Sequence, residues 1–430
     1  MDRSASSSRR RFLSGAAVGA TAAFAGCTSV YGALPNRVTY ARTRFRDVPS
    51  VPAAVETTDD HLHDLATEID AYADGLEVWD RIDGPERRVV YSSRRLENAL
   101  EFADSLPSEP PTIDTVETAG YHLSQAAGSD AYARVRADEF DRDPTAGAER
   151  WLDERASVQA EFDYETEAPS TFLAYGRAVE YSLRQAELGL SRLTDAEIDD
   201  GSRHASRAER IADLYGNTQR HRLRVRDARG YRKALRERDS GGEPFGETMA
   251  ASRDVLAGRV SDLLADRDIW MDRTADFGDE RRDVHSALYS RSLGERVETI
   301  DRIVDGGYEV YGTVELATLW LRFAAARAER DRLEAADEDR LDSGLVDAAK
   351  RDAVDRLEDV LESDPDPLAL FFADRARSRL DSGDRSLERT SFDDDEDWRW
   401  MQANGYAHYL LARGILERID EAVDVLATGG

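Results

Sequence analysis

From Asp59 onward, apolar residues recur at helical spacing. Leu62, Leu65, Ile69, Tyr72, Leu76 and Trp79 alternate three and four positions apart, which sets them on one stripe of a helix. Thr58 or Asp59 suits the start of that helix, and Gly84-Pro85 suits its end. A second amphipathic stretch turns Val89, Leu96, Leu100 and Ala103 inward until Pro107, Pro110 and Pro111 break it. The same periodicity predicts helices over roughly 114–139, 146–162, 170–194, 199–237, 247–266, 279–304, 308–336, 343–362, 367–382 and 397–427. Period-two alternation is clear only from Arg220 to Arg226, where basic and apolar residues trade places. With no partner strand in view that segment reads as helical, a short strand being the alternative. The expected fold class is all-α: an antiparallel helix bundle, or helical hairpins stacked in an α-solenoid-like body.

The organisation follows from where periodicity fails. Residues 28–56 contain Pro35, Pro49 and Pro52 and no repeat pattern, so residues 27–56 are expected to be a tether. The most breaker-rich interior stretch is Asp239-Ser240-Gly241-Gly242-Glu243-Pro244. It is the expected seam between an N-terminal helical half (57–240) and a C-terminal one (241–430).

The first residues carry an address. Ser8-Arg9-Arg10-Arg11-Phe12-Leu13 resembles a twin-arginine export signal, with Arg9 and Arg10 as the pair and Phe12 and Leu13 as the apolar positions behind it. The apolar run 12–26 is short of the ~20 residues that cross a bilayer. Ala23-Phe24-Ala25-Gly26-Cys27 resembles a lipobox, and Cys27 is the only cysteine of the chain. The resemblance implies removal of residues 1–26, a lipid on the Cys27 sulfur, export in the folded state, and residence on the outer face of the cell membrane. A two-chain lipid would anchor stably where one chain would not. With one cysteine no intramolecular disulfide can form, so the fold must rest on packing.

Composition adds the solvent. Asp and Glu number 87 against 58 Lys and Arg, a net charge of −29, and charged residues make up 34% of the chain. Lys233 and Lys350 are the only lysines. Such self-repulsion weakens a compact state in dilute buffer. In molar salt the screening length falls to ~3 Å and the repulsion fades. Acidic, lysine-poor and twin-arginine-exported, the chain resembles a haloarchaeal lipoprotein. Nucleic acid is excluded as a partner by the overall charge. The membrane, through Cys27, and a neighbouring envelope protein are the partners expected.

Candidate chemistry is thin. The sequence holds no Gly-rich phosphate loop, Gly-x-Gly-x-x-Gly, Gly-x-Ser-x-Gly or His-Glu-x-x-His. No cofactor is expected, and the role expected is non-enzymatic, with an enzyme of unfamiliar helical type as a further alternative. His61 and His63 sit two apart, so a helix turns them ~200° from each other. His63 with Asp59 is a weak metal candidate. Gly120-Tyr121-His122 resembles the Gly-x-His-x-x-Glu motif of imelysin-like proteins, exported helical proteins some of which are linked to iron uptake, although Gln125 stands where the acid belongs. His122 is thus the second weak metal candidate. Asp393–Asp397 fails as a calcium loop, because Trp398 and Asn404 occupy the glycine and closing-glutamate positions. Residues 352–384 resemble a tetratricopeptide junction through Ala353, Leu357, Pro365, Ala376 and Gly383-Asp384, with Arg375 where that family has an apolar residue.

The strongest anomaly is basic. Nine Lys or Arg and only Asp227 and Glu237 lie between Asn217 and Arg238. On a helix Arg222, Arg226, Arg229, Lys233 and Arg236 share a face. They form a candidate anion site, or else a charge network against acidic helices of the same body. The sequence thus points to a lipid-anchored, extracellular, all-helical binding or assembly module. Its alternative is a lipoprotein that captures a solute or metal for a transporter.

Overall fold

The computed structural model describes residues 42–82, 91–194, 196, 206–274, 279–292, 297–336, 341–388 and 395–430. The fold is all-α, with fifteen α-helices and one two-stranded sheet among the described residues. The N-terminal half holds α1 (Asp59–Asp70), α2 (Gly75–Trp79), α3 (Ser93–Ser105), α4 (Ile113–Arg136), α5 (Ala148–Ala160), α6 (Pro169–Thr194) and α7 (Arg207–Arg238). The C-terminal half holds α8 (Gly246–Thr274), α9 (Asp279–Ser292), α10 (Val297–Asp305), α11 (Glu309–Ala336), α12 (Ser343–Glu362), α13 (Pro367–Glu388), α14 (Asp395–Leu416) and α15 (Ile419–Thr428). Among the described residues no helix is long and apolar enough to cross a membrane.

Local chemistry sets the helix starts. Thr58 accepts from the His61 amide at the head of α1, and Thr112 does the same for Thr115 at α4. Ser206 and Glu209 form a reciprocal capping box on α7. Three expected helices prove to be split. The stripe from Asp59 to Trp79 breaks at residues 71–74, where i→i+3 hydrogen bonds replace the helical pattern. There Gly75 lies so close to α4 that a Cβ would sit 2.6 Å from Asp130 Oδ1. The stretch expected as 279–304 is two helices, α9 and α10. The last expected helix divides at Glu417–Arg418 into α14 and α15.

In the first half α4 and α6 pack along α7. The close approach of α4 and α7 depends on glycine: a Cβ at Gly216 would meet the Ser124 carbonyl at 2.6 Å. The Arg220–Arg226 segment is helical within α7, as the absence of a partner strand implied. In the second half α14 lies at the centre, against α9, α11, α12 and α13. The tetratricopeptide-like segment spans the end of α12 and most of α13, which each pack more extensively on α14 than on one another. The halves meet at α6. It contacts α11, α13 and α15, and one apolar core runs without interruption from Val55 to Leu426.

The breaker-rich stretch at 239–244 is stitched to the first half. β1 (Glu165–Thr166) and β2 (Glu243–Pro244) pair antiparallel, with Glu165 opposite Pro244 and Thr166 opposite Glu243. Asp239 accepts from the Thr166 hydroxyl and the Glu167 amide.

The expected tether needs correction over its described part. Residues 42–57 form a strap bound to both halves. The Lys350 ammonium, fully buried, donates to the carbonyls of Thr43, Arg44 and Arg46 at 2.9, 3.2 and 3.0 Å and to the Asp384 carboxylate at 2.8 Å. Further along, the Thr57 amide donates to the Pro111 carbonyl at 2.5 Å, the Ile113 amide to Val55, and the Tyr175 hydroxyl accepts from Glu56. A Pro-rich, aperiodic segment reads as linker, yet its backbone polar groups are satisfied by residues distant in sequence.

Candidate functional site

Where the strap crosses from one half to the other, it borders a cleft of about 410 Å³. The cleft's walls come from strap residues 51–55, the first turns of α4 and α11, the middle of α6, and α13. Each wall contributes a charge or a ring: Asp114 and Glu117 from α4, Arg177 and Tyr181 from α6, Tyr311 and Glu315 from α11, and Phe371, Asp374, Arg375 and Arg377 from α13. Helical spacing explains the crowding on α13, because residues 371, 374 and 375 fall on one face.

Arg177 and Glu315 are the buried pair that joins the halves here. Arg177 Nε and Nη2 both donate to Glu315 Oε1, at 3.0 and 2.6 Å. Burial alone would raise the Glu315 carboxyl, but Arg177, and Arg375 behind it, outweigh burial and hold it below the ordinary value. The Arg177 guanidinium also lies 4.4 Å from the Phe371 ring centre and 5.6 Å from those of Tyr181 and Tyr311.

Arg375 has no such match. Its guanidinium lies 4.9 Å from the Phe371 ring centre, on the ring that Arg177 also uses. Among the described residues it makes no hydrogen bond or ion pair, and its Nε is shut off from solvent. Desolvation, then the positive charge of Arg177, lowers its pKa. On the acidic side, burial and then the neighbouring Asp114 charge raise the Asp374 carboxyl. The nearest cation to Asp374 is Arg377, at 3.9 Å. Glu117 is held from behind by Arg224 at 3.5 Å, and Arg224 in turn faces Asp227, which meets His61 Nε2 at 3.1 Å.

The residues singled out from sequence fall elsewhere. The basic face of α7 is not an open anion site, because acidic residues of the same body already occupy it. Arg222 pairs with Glu68, Arg226 with Asp64 and Glu68, Arg229 with Glu154, and Arg236 with Asp163 at 3.8 Å. Lys233 is exposed. His63 is exposed on α1, while His61, two positions away, is buried against Asp227 rather than solvated. His122 stacks on Phe102 with ring centres 4.2 Å apart, and burial lowers its pKa. Its ring face is taken by an aromatic neighbour, and His122 belongs to no cluster of three ligating side chains among the described residues, so the imelysin-type ligand set is not assembled there. Among the described residues no three His, Cys, Asp or Glu side chains converge to hold an ion. Arg9, Arg10, Phe12, Leu13, Cys27 and Asp393-Asp394 lie outside the described residues.

Sequence reasoning did not find Arg177, Glu315, Asp374 or Arg375 as a group. One signal was present: Arg375 is the residue that departs from the tetratricopeptide-like pattern.

Two family models match the chain, one to each half. Residues 60–241 match a domain of unknown function, DUF8262, and residues 246–428 match a second domain of unknown function, DUF8264. Neither the curated proteins nor the solved structures contain a significant match.

Proposed function

We propose that this chain is a lipid-anchored, extracellular binding module that holds a small solute in the cleft between its two matched halves. The observation that carries this reading is the unpartnered, half-buried Arg375 facing a cavity of about 410 Å³. That volume falls in the range of small-molecule pockets, ~300–1,000 Å³, and aromatic walls with a few converging polar groups are their usual lining. The address comes from the lipobox-like Cys27 and the twin-arginine-like Arg9-Arg10. The acidic, lysine-poor composition supports a halophile's surroundings. Of the two roles considered, solute capture is favoured over a scaffold. The large apolar side chains most exposed among the described residues, Phe45, Tyr121, Leu188 and Trp400, each lie on a different element, so no one helix presents an apolar face to a partner. A transporter or other envelope protein would receive the cargo.

The test is a melting and equilibrium-dialysis survey of the full chain in molar KCl. Carboxylates, phosphates, amines, amino acids and sugars are the probes, and Ala53→Trp, which adds a bulky ring to the strap wall of the cleft, is the control. A solute that binds the native chain and not the Ala53→Trp variant is the expected result. Binding that survives this substitution, or none by any class, overturns the reading. Intact mass of the membrane-extracted protein reads the address: lipid on Cys27 supports it, and a bare thiol behind a retained leader refutes it.

A further inference from the structure

The geometry points to a small zwitterion as the occupant: Arg375 receives its carboxylate, and Asp114 with Asp374 receives its ammonium group. The inference rests on the cleft being a solute site and specifies what the solute must carry.

It follows from pairing the charges of the lining. Arg177 and Glu315 satisfy each other at 2.6 Å, and Glu117 is engaged by Arg224 from outside the cavity. Two positive and two negative side chains remain, Arg375 and Arg377 against Asp114 and Asp374. Arg377 leans on Asp374 and Asp381 at 3.9 and 4.0 Å, too far for a hydrogen bond. Asp114 and Arg375 make no hydrogen bond or ion pair among the described residues. A guanidinium is a strong, two-pronged donor to a carboxylate, and this one lies 4.9 Å from the Phe371 ring centre.

Single-charge ligands leave the site unbalanced. A simple anion on Arg375 would add negative charge beside two carboxylates that already repel each other. A simple cation between Asp114 and Asp374 would leave Arg375 unmatched. One molecule with both groups offers a partner to both kinds of charge in the cleft and changes its net charge by nothing. Such a ligand gains little from long-range attraction. In molar salt that attraction is screened within ~3 Å in any case, so contacts inside a partly dehydrated cleft must supply the affinity.

The experiment is equilibrium dialysis of the full chain in molar KCl with the twenty common L-amino acids, tested singly. The amino acid bound best is then compared with its des-amino carboxylic acid and its decarboxylated amine. The expected result is binding of at least one amino acid, with each truncated analogue about tenfold or more weaker, as loss of a charge-assisted hydrogen bond implies. Arg375→Gln should weaken the amino acid and the carboxylic acid but not the amine, and Asp374→Asn should do the reverse. The comparison among ligands needs no variant, so it stands even if a variant fails to fold. A carboxylic acid that binds as well as its amino acid overturns the zwitterion while leaving the cleft reading intact. So does binding of some other solute class when none of the twenty binds. Absence of binding by every class removes both.

Discussion

Lys350 is one of two lysines in the chain, and its side chain has no surface exposure. Its replacement by Met keeps the aliphatic stem and removes the ammonium. Three protons there serve the carbonyls of Thr43, Arg44 and Arg46 and both oxygens of Asp384, at 2.8 to 3.2 Å. After the substitution Asp384 retains the Tyr409 hydroxyl at 2.6 Å, and three strap carbonyls lose their donor. Breaking a buried pair by removing one partner costs about 3–5 kcal/mol. Asp384 is partly open to water, so the lower end, about 3 kcal/mol, is expected.

That energy is expressed first where the strap is held. A change of about 3 kcal/mol raises the population of strap-open molecules roughly a hundredfold. Trypsin cleavage after Arg44 and Arg46 should accelerate by a similar factor if reclosing is fast relative to cutting. The global unfolding midpoint should fall as well. A second variant separates charge from packing. Lys350→Met with Asp384→Leu removes both members of the pair and should be more stable than Lys350→Met alone. Unchanged cleavage and an unchanged midpoint in Lys350→Met would refute the claim that this ammonium holds the strap.

Three further outcomes are expected. Burial pushes the Glu180 carboxyl up to about 8, with Tyr164 and the Tyr311 amide as its partners. The folded chain therefore keeps a proton that the unfolded chain releases near 4.5, and stability falls as pH rises through that window, by about 5 kcal/mol in total. Urea midpoints at pH 5 and pH 8 should converge in Glu180→Gln; an undiminished pH slope in the variant would exclude Glu180 as its source. Replacing Arg222, Arg226 and Arg229 together with Ala should lower stability by about 1–2 kcal/mol, since these pairs are partly exposed. The loss should grow in low salt while solute binding in the cleft is unchanged, and the opposite pattern would restore the α7 face as a ligand site. Gly216→Ala should destabilise by about 2 kcal/mol, because its Cβ meets a backbone oxygen of α4. A raised melting midpoint, as in an open helix, would show that α4 and α7 can part without penalty.

The helices were legible because each buries one face, and burial of one face writes a period into the sequence. Thr58 as the cap of α1 was legible for a similar reason, since the capping bond reaches only three residues ahead. The breaks were not. The interruption at 71–74 accompanies the tight seating of Gly75 on Asp130, a contact with another helix. The strap is a stronger case. Nothing within residues 42–57 announces order, and the group that fixes them is a lysine about three hundred residues later. Non-local satisfaction of backbone groups leaves no periodic trace.

The candidate site divides along the same line. The basic run of α7 stood out because its charges are consecutive, but the sequence could not say which acids face it. Glu68 lies on α1 and Glu154 on α5, and both consume guanidiniums that an isolated reading leaves free. Arg375 gave the opposite signal, a single residue out of pattern in an otherwise apolar register. The informative quantity was therefore the residual charge after partners are assigned, not the local charge density. The dense basic face of α7 is matched by acids of the same body, so a lone unmatched arginine in a cleft says more about ligands than that whole face.

The strap gives that residual charge its setting. Residues 43–46 are tied to α12 and α13 through Lys350 and Asp384, and residues 55–57 are tied to the first half through Pro111, Ile113 and Tyr175. Residues 51–55 lie between the two attachments and form one wall of the cleft. Arg375 and the segment that continues toward Cys27 thus line one cavity. If Cys27 is the membrane anchor, anchor and ligand act on one short stretch of backbone pinned at both ends. A strap fastened to only one half would let the halves shift without altering the cleft's wall. Fastened to both, it couples the separation of α6 from α11 and α13 to the shape of the cleft.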